Sequence, residues 1–486
     1  MKSLINVYAD FIHRELFMAR KPVELRFVNR YLMKKISITS LSFLTVTILS
    51  MHFLLKITSL PTIALASLTS ALLPFILYPV YLIMESRSYH RELEEEFKYF
   101  LISNYVSLSK DSDLLKDLQN LSAWCNVFKK LCRESNILRR LVDFLGIVKG
   151  VNEYRKWVKS KIVNSVLTDY LLATNSGTYV FWMQGLGQRI LDEVRTNTYN
   201  VIKARATVSL VVAVLLGYTP VVVVPLTTLL GSNFINQVFT LTIVLAPISF
   251  FALPKYPKYL KFEKITSRKN LTLLPLLTIP TITYYLLFKK FNLLVLSLPL
   301  LMFGIYVTKD FLKNVRELSR LSKFLDLASG VSSISINPLD SLKKAVEASE
   351  LDFEFSPLEL TLRKQKPVSR SWVASFVFYC LSKGLSLGVI SREVLSKLQE
   401  VVNEALRSFK AVALANSVIV ALALLLPLLQ SATINIIHQA NTVITTYIII
   451  TSIFYSCYAS YVVFEDLTNT FLPSITMLEL NLLGVI

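Results

Sequence analysis

Apolar and polar residues separate along this chain into long blocks. Eight uncharged apolar stretches occupy 36–55, 60–84, 206–230, 234–253, 271–288, 291–308, 411–430 and 442–464, and nearly every charge lies between them. A hydrocarbon layer about 30 Å thick requires roughly 20 helical residues, at about 1.5 Å each, so each stretch is long enough to cross. Lipid cannot satisfy exposed backbone groups, and runs such as Val221–Val224 or Ile448–Ile450 do not alternate as amphipathic strands would, so the stretches predict helices. Pro74, Pro79, Pro220, Pro225, Pro247, Pro275, Pro280 and Pro299 fall inside them and predict kinks of the kind membrane helices tolerate.

Between the stretches the pattern changes to helical amphipathicity. Residues 85–205 and 309–410 each read as a helix-bundle module. In the second, Phe311, Leu312, Val315, Leu318, Leu321, Phe324, Leu325 and Ala328 recur at i, i+3, i+4, i+7, and Gly330 predicts a stop. Asn337 and Pro338 predict a capped helix start, and Ser356-Pro357-Leu358-Glu359 a capping box. Val394, Leu398, Val401, Val402 and Leu406 predict a last helix continuing into the stretch at 411. The first module ends alike, with Gly187, Ile190, Leu191, Val194, Val201 and Ile202 leading to 206. The fold class is therefore all-α, a polytopic membrane protein with about eight transmembrane helices. Its divisions are 1–35, 36–84 (spans 1 and 2), 85–205, 206–308 (spans 3 to 6), 309–410, 411–464 (spans 7 and 8) and 465–486. The tail 465–486 either packs on the inner surface or begins an incomplete ninth span.

Charge sets the expected orientation. Loop 254–270 carries six basic residues and one acidic, whereas 231–233 and 431–441 carry no charge. Basic excess marks the cytoplasmic side, placing both modules and both termini inside, at the cell membrane. A basic stripe facing anionic headgroups accounts for the net charge of +19 without a nucleic-acid partner. No cleavable signal is expected in residues 1–35. There Leu4, Ile5, Tyr8, Phe11, Ile12 and Leu16 predict an amphipathic helix, lying in the headgroup layer or packed on a cytoplasmic domain.

Layout and local motifs of the second module resemble the platform proteins of type II secretion, type IV pili and archaella, in their archaeal branch. The resemblance rests on two helical modules of about 100 residues leading into spans, on Phe324-Leu325-Asp326-Leu327-Ala328 with Gly330-Val331, on Asn337-Pro338-Leu339-Asp340-Ser341-Leu342, and on Gly384-Leu385-Ser386-Leu387 opening a second half. The first module departs from it, with Ser107-Leu108-Ser109-Lys110 in place of the glycine turn. The resemblance implies a membrane scaffold that receives a hexameric secretion ATPase, helps insert pilin-like or archaellin-like subunits, and forms a homodimer.

Candidate chemistry is sparse. There is no G-x-x-x-x-G-K-[ST] loop, no H-E-x-x-H and no G-x-S-x-G, and no cofactor or metal is expected. Cys125 and Cys132 are seven apart, read as two turns on one helical face with ordinary thiols. His-Arg-Glu-Leu occurs at both 13–16 and 90–93, which is read as coincidence. Lys255, Lys258, Lys261, Lys264, Arg268, Lys269, Lys343 and Lys344 form the expected partner-docking patch. The rival class is a secondary transporter or channel, against which stands the absence of Asp, Glu, Lys and Arg from all eight stretches. A membrane-embedded transferase would need interfacial carboxylates, and the acids present are interleaved with bases on helices.

Overall fold

The computed structural model describes residues 2–18, 20, 60–109, 112–218, 222, 249–250, 253–260, 279, 283–284, 293–332, 337–349, 351, 371–388, 390–437, 442–465 and 469–483, with backbone alone at 2–7, 9, 60–77, 216–218, 259, 293, 310, 338, 433–437, 442–444 and 446. Among the described residues all regular elements are helical. The chain divides into two compact units, Met1–Gly187 and Gln188–Ile486.

Unit 1 begins with α1 (Lys2–Met18), followed by α2 (Leu60–Val106), α3 (Leu114–Gln119), α4 (Lys129–Leu145), α5 (Ile147–Trp157), α6 (Lys161–Asn175) and the start of α7 (Tyr179–Val212). Polar caps start the shorter helices. The Asp113 carboxylate accepts from the amides of Leu115 and Lys116, and Ser160 Oγ accepts from that of Val163. The core is built from one face of α2 (Leu93, Phe97, Phe100, Leu101) against Phe128, Leu131 and Leu138 of the α4 region, all under 5% exposed. α1 packs on α2 and buries Ile12 and Leu16, each worth about 1.5–3 kcal/mol. The N-terminal helix thus packs on α2. A Cβ on Gly187 would stand 2.3 Å from Tyr105 Cβ, so only glycine lets α7 approach α2 this closely.

Unit 2 continues α7 and contains α8 (Leu293–Ser332), α9 (Pro338–Ser349), α10 (Trp372–Ser386), α11 (Arg392–Ile437), α12 (Thr442–Phe464) and α13 (Phe471–Leu482). Leu318, Leu321, Phe324, Leu325 and Ala328 of α8 are fully buried, as their spacing predicts, whereas Leu312 is 61% exposed. The Asn337 side chain accepts the Leu339 amide at the head of α9. Two predicted boundaries move: Gly330 does not stop its helix, which runs to Ser332, and Gly384-Leu385-Ser386 closes α10 instead of opening a second half. Glycine permits a helix end without imposing one, and here the flanking apolar face keeps the helix going. The predicted capping box at 356–359 lies outside the described residues.

Among the described residues, four helical stretches are long and apolar enough to cross a membrane: Tyr179–Leu215, Leu294–Ser332, Arg392–Ala432 and Tyr447–Phe464. The fold is therefore helical with four such helices shown, against eight expected. Of the expected spans, 36–55 and nearly all of 234–253 and 271–288 lie outside the described residues, as does most of 219–230. Residues 60–84 form the first half of the unbroken α2, with Pro74 and Pro79 inside it. The apolar helices leave large side chains uncovered, among them Met302 (71%) and Leu414 (75%), a surface that water would penalise. α12 differs. It is 56% buried over its apolar window, against 18% for α8, and is the centre of an apolar cluster with Ile419, Leu426, Tyr455, Tyr458 and Val462.

The undecided tail is a helix inside this bundle. α13 packs on α8, α11 and α12, and its 12 residues span about 18 Å, too short to cross. Gly304 of α8 makes room for it, since a Cβ there would meet Phe471 Cα at 2.5 Å. The joining segment is tied down by Thr470 Oγ1 donating to Leu300 O (2.6 Å) and Ser460 Oγ donating to Asn469 O (2.7 Å).

Candidate functional site

Among the described residues, each unit encloses one arginine that the sequence did not single out. In unit 1 it is Arg20, just past α1, 5% exposed and with the left-handed φ of 57° that non-glycine residues adopt at a cost. Its Nε donates to Glu134 Oε1 at 2.7 Å and one terminal nitrogen to Oε2 at 2.9 Å, a two-pronged pair. The Tyr89 and Tyr154 hydroxyls donate to the same two oxygens at 2.7 and 2.9 Å. Arg20 also reaches Trp157 O, and Arg133 donates to the Arg20 carbonyl. Burial alone disfavours the guanidinium, but the hydrogen bond and charge of Glu134 outweigh it and hold Arg20 above its ordinary value. Burial, then the Glu134 charge, pushes both tyrosines well above the usual phenol range. Four donors occupy the Glu134 carboxylate, which is 1% exposed, so it has neither the free lone pair nor the access that a base or nucleophile needs. The cluster is a clamp that ties α1 to α2, α4 and α5.

Next to the clamp a cleft of about 430 Å³ opens between α1 and α2. Phe11 and Glu15 form one wall, Ile83, Ser86, Arg87, His90, Arg91 and Glu94 the other, and Lys159 closes an end. Lys159 pairs with Glu15 at 3.3 Å, and Ser160 donates to Glu94 at 2.7 Å. His90 is 7% exposed, touches Tyr89 edge-on, and has no hydrogen-bond partner on either ring nitrogen. Burial, then the charge of Arg20, holds its pKa below the ordinary value. The two His-Arg-Glu-Leu copies meet here: Glu15, His90 and Arg91 line the cleft, and Leu16 and Leu93 are buried.

In unit 2 the buried arginine is Arg205, 1% exposed. It donates to Pro254 O (2.8 Å), to Tyr461 O and Val462 O (3.3 Å each), and pairs with Glu465 at 3.1 Å. Its guanidinium carbon lies 4.0 Å from the centre of the Tyr256 ring. Tyr461 O also accepts from the Glu465 amide at 2.8 Å, and a cation at the end of α12 adds donors to its last carbonyls and opposes the helix dipole. One side chain therefore fastens α7, the 253–260 segment and the end of α12. The sequence signal was present: Arg205 is the last charge before one apolar stretch and Glu465 the first after another.

A polar seam runs through the apolar part of the same unit. Ser452 donates to Gln430, Ser456 and Thr476 are 2.5 Å apart, and Asn469 donates to Thr308 at 3.3 Å. Glu479 of α13 is partly buried there, with one carboxylate oxygen unpartnered.

Of the expected docking residues, Lys255 is exposed and Lys258 half-buried, and Lys343 and Lys344 are exposed on α9. The 258–260 turn packs against α10 and α11, while α9 packs on α8. Lys261, Lys264, Arg268 and Lys269 lie outside the described residues. The cysteine reading is corrected: Cys125 and Cys132 form a disulfide, with Cα atoms 5.3 Å apart. They do not share a helix, because a 3₁₀ turn (Asn120–Trp124) ends before Cys125 and α4 begins only at Lys129, so the chain folds back between them. Cys380 and Cys457 are free thiols, and burial pushes Cys380 far above the usual thiol range. Comparison with protein-family models, with curated proteins and with solved structures finds no match to this chain.

Proposed function

We propose that this chain is a polytopic membrane platform, with about eight spans and two helical modules on the cytoplasmic side. It docks a hexameric secretion-type ATPase and couples it to the insertion of pilin-like or archaellin-like subunits, as part of a type IV-like filament or type II secretion machine, without covalent chemistry of its own. One observation carries the reading. In both modules a long helix enters from an apolar stretch and another leaves into one without a break: α2 and α7 in the first, α8 and α11 in the second. Force applied to a module passes directly into membrane helices, which is what a mechanical scaffold requires.

Lys255, Lys258, Lys261, Lys264, Arg268, Lys269, Lys343 and Lys344 remain the proposed docking patch. The test is co-purification of the secretion-type ATPase from mild detergent, with a deletion strain examined for surface filaments. Loss of filaments and capture of the ATPase, both abolished by charge reversal in the patch, are expected. Normal filaments in the deletion strain, or a charge-reversed protein that still captures the ATPase, would sink the platform or the patch respectively.

The polar seam favours a second reading, a transporter or channel, because Glu479 brings a carboxylate among apolar helices where sequence reading expected none. Solute uptake by proteoliposomes that is lost in Glu479→Gln, together with intact filaments in cells, selects that reading.

A further inference from the structure

We propose that the cleft between α1 and α2 binds the phosphate group of an anionic membrane lipid. The first observation is His90. A buried imidazole normally finds a hydrogen-bond partner, yet His90 lines the cleft with both ring nitrogens buried and without one. A neutral imidazole carries one N–H donor and one acceptor, and a phosphate oxygen suits the donor. The second is charge that the protein has not neutralised. Glu15 is paired with Lys159, and Glu94, whose charge the Ser160 hydroxyl does not cancel, offsets one of Arg87 and Arg91 and leaves the other. Arg87 and Arg91, one helical turn apart on the face of α2 that carries His90, are exposed to the cleft opening. Among the described residues no three His, Cys, Asp or Glu side chains are grouped to hold a metal, so the unsatisfied donors point to an anion.

Polarity along α2 selects a lipid over a free ion. Val80 (42% exposed), Tyr81 (58%) and Met84 (66%) precede the cleft and Ile83 lines it, with Arg87, His90 and Arg91 following within two turns. An amphiphile laid along this helix would place acyl chains on the first group and its headgroup on the second. That step rests on reading 60–84 as a membrane span.

The test uses the full chain in mild detergent and measures retention of dioleoylphosphatidylglycerol, dioleoylphosphatidylcholine and inorganic phosphate by native mass spectrometry. Phosphatidylglycerol is expected to bind in preference to the other two. Each interfacial cation contributes roughly a 5-fold gain in affinity, so Arg87→Gln should weaken it about 5-fold and R87Q/R91Q about 30-fold. The Arg87→Lys/Arg91→Lys protein, which keeps the charge, should bind nearly as the parent does, which separates charge from fold. His90→Leu removes one donor and should weaken phosphatidylglycerol binding about 5-fold without lowering the melting temperature. Equal binding of the two lipids overturns the site, and inorganic phosphate binding as tightly as phosphatidylglycerol overturns the lipid as its occupant. Carbonate extraction tests the span separately. A protein released from membranes refutes the span reading, whereas one that stays and shows no lipid preference refutes the site alone.

Discussion

Removing Arg20 should unfold the first unit far more readily than removing Arg20 and Glu134 together. Arg20→Met deletes three hydrogen bonds and leaves the Glu134 carboxylate, 1% exposed, with only two phenol donors. Both partners are almost wholly buried, so water provides little relief, and breaking such a pair costs about 3–5 kcal/mol. For a unit of this size each kcal/mol moves the midpoint by about 2–4 °C, so the expected drop is about 6–20 °C. Intrinsic fluorescence is a suitable readout because Trp124, Trp157 and Trp182 lie in unit 1 and Trp157 takes part in the clamp. Glu134→Gln should be comparably damaging, since it leaves a guanidinium on a left-handed backbone without its counter-charge. The double variant Arg20→Met/Glu134→Gln should recover to within about 1–2 kcal/mol of the parent, because no charge is stranded and the amide oxygen still accepts from the Tyr89 and Tyr154 hydroxyls. Single variants that melt within about 2 °C of the parent, or a double variant as unstable as the sum of the two, would refute the clamp.

Other consequences follow from the same packing. His90 binds a proton less readily folded than unfolded, so its contribution to stability is present above about pH 6.5 and is lost as pH falls below it; His90→Gln should flatten that acid limb in melts from pH 8 to 5, against a background set by Arg20, Glu134, Lys159, Glu15 and Glu94. Arg205→Ala should cost about 3–5 kcal/mol and Arg205→Lys nearly as much, since an ammonium cannot reach Pro254, Tyr461, Val462 and Glu465 together; a lysine variant that melts like the parent would refute this. Gly304→Leu should displace α13 and expose residues 471–482 to protease, whereas an unchanged digestion pattern would show that the close approach is dispensable. Alkylation of the denatured, unreduced protein should modify two of the four cysteines, Cys380 and Cys457, and reduction should add the other two and lower stability by about 2 kcal/mol; four modified at once would exclude the bond.

Helix identity was legible because periodicity records it directly. Leu318, Leu321, Phe324 and Leu325 are buried as their spacing requires, and Asn337 caps where its side chain suits the role. Continuity of α7 and α11 into apolar stretches was legible for the same reason. Long-range pairing was not. Nothing in the local pattern around Arg20 or Glu134, 114 residues apart, distinguishes them from solvated surface charges, and only the tertiary fold brings them together. The Cys125–Cys132 pairing was missed because the two cysteines were read as two turns apart on one helical face, whereas Trp124 and Phe128 are buried on either side of a break at 125–128. The role of residues 465–486 was undecidable from hydropathy, since a short apolar helix looks the same on a surface and inside a bundle.

The short α13 has a bearing on how the protein is made. A helix of 12 residues cannot enter bare lipid stably, because its end groups would be stripped of water with nothing to replace it. Its anchors, Leu300, Ser456 and Ser460, reside on α8 and α12, which must both already be packed on α11 before they can receive it. Docking of this segment is accordingly a late event in biogenesis, and its protection from protease would serve as a timer for completed assembly.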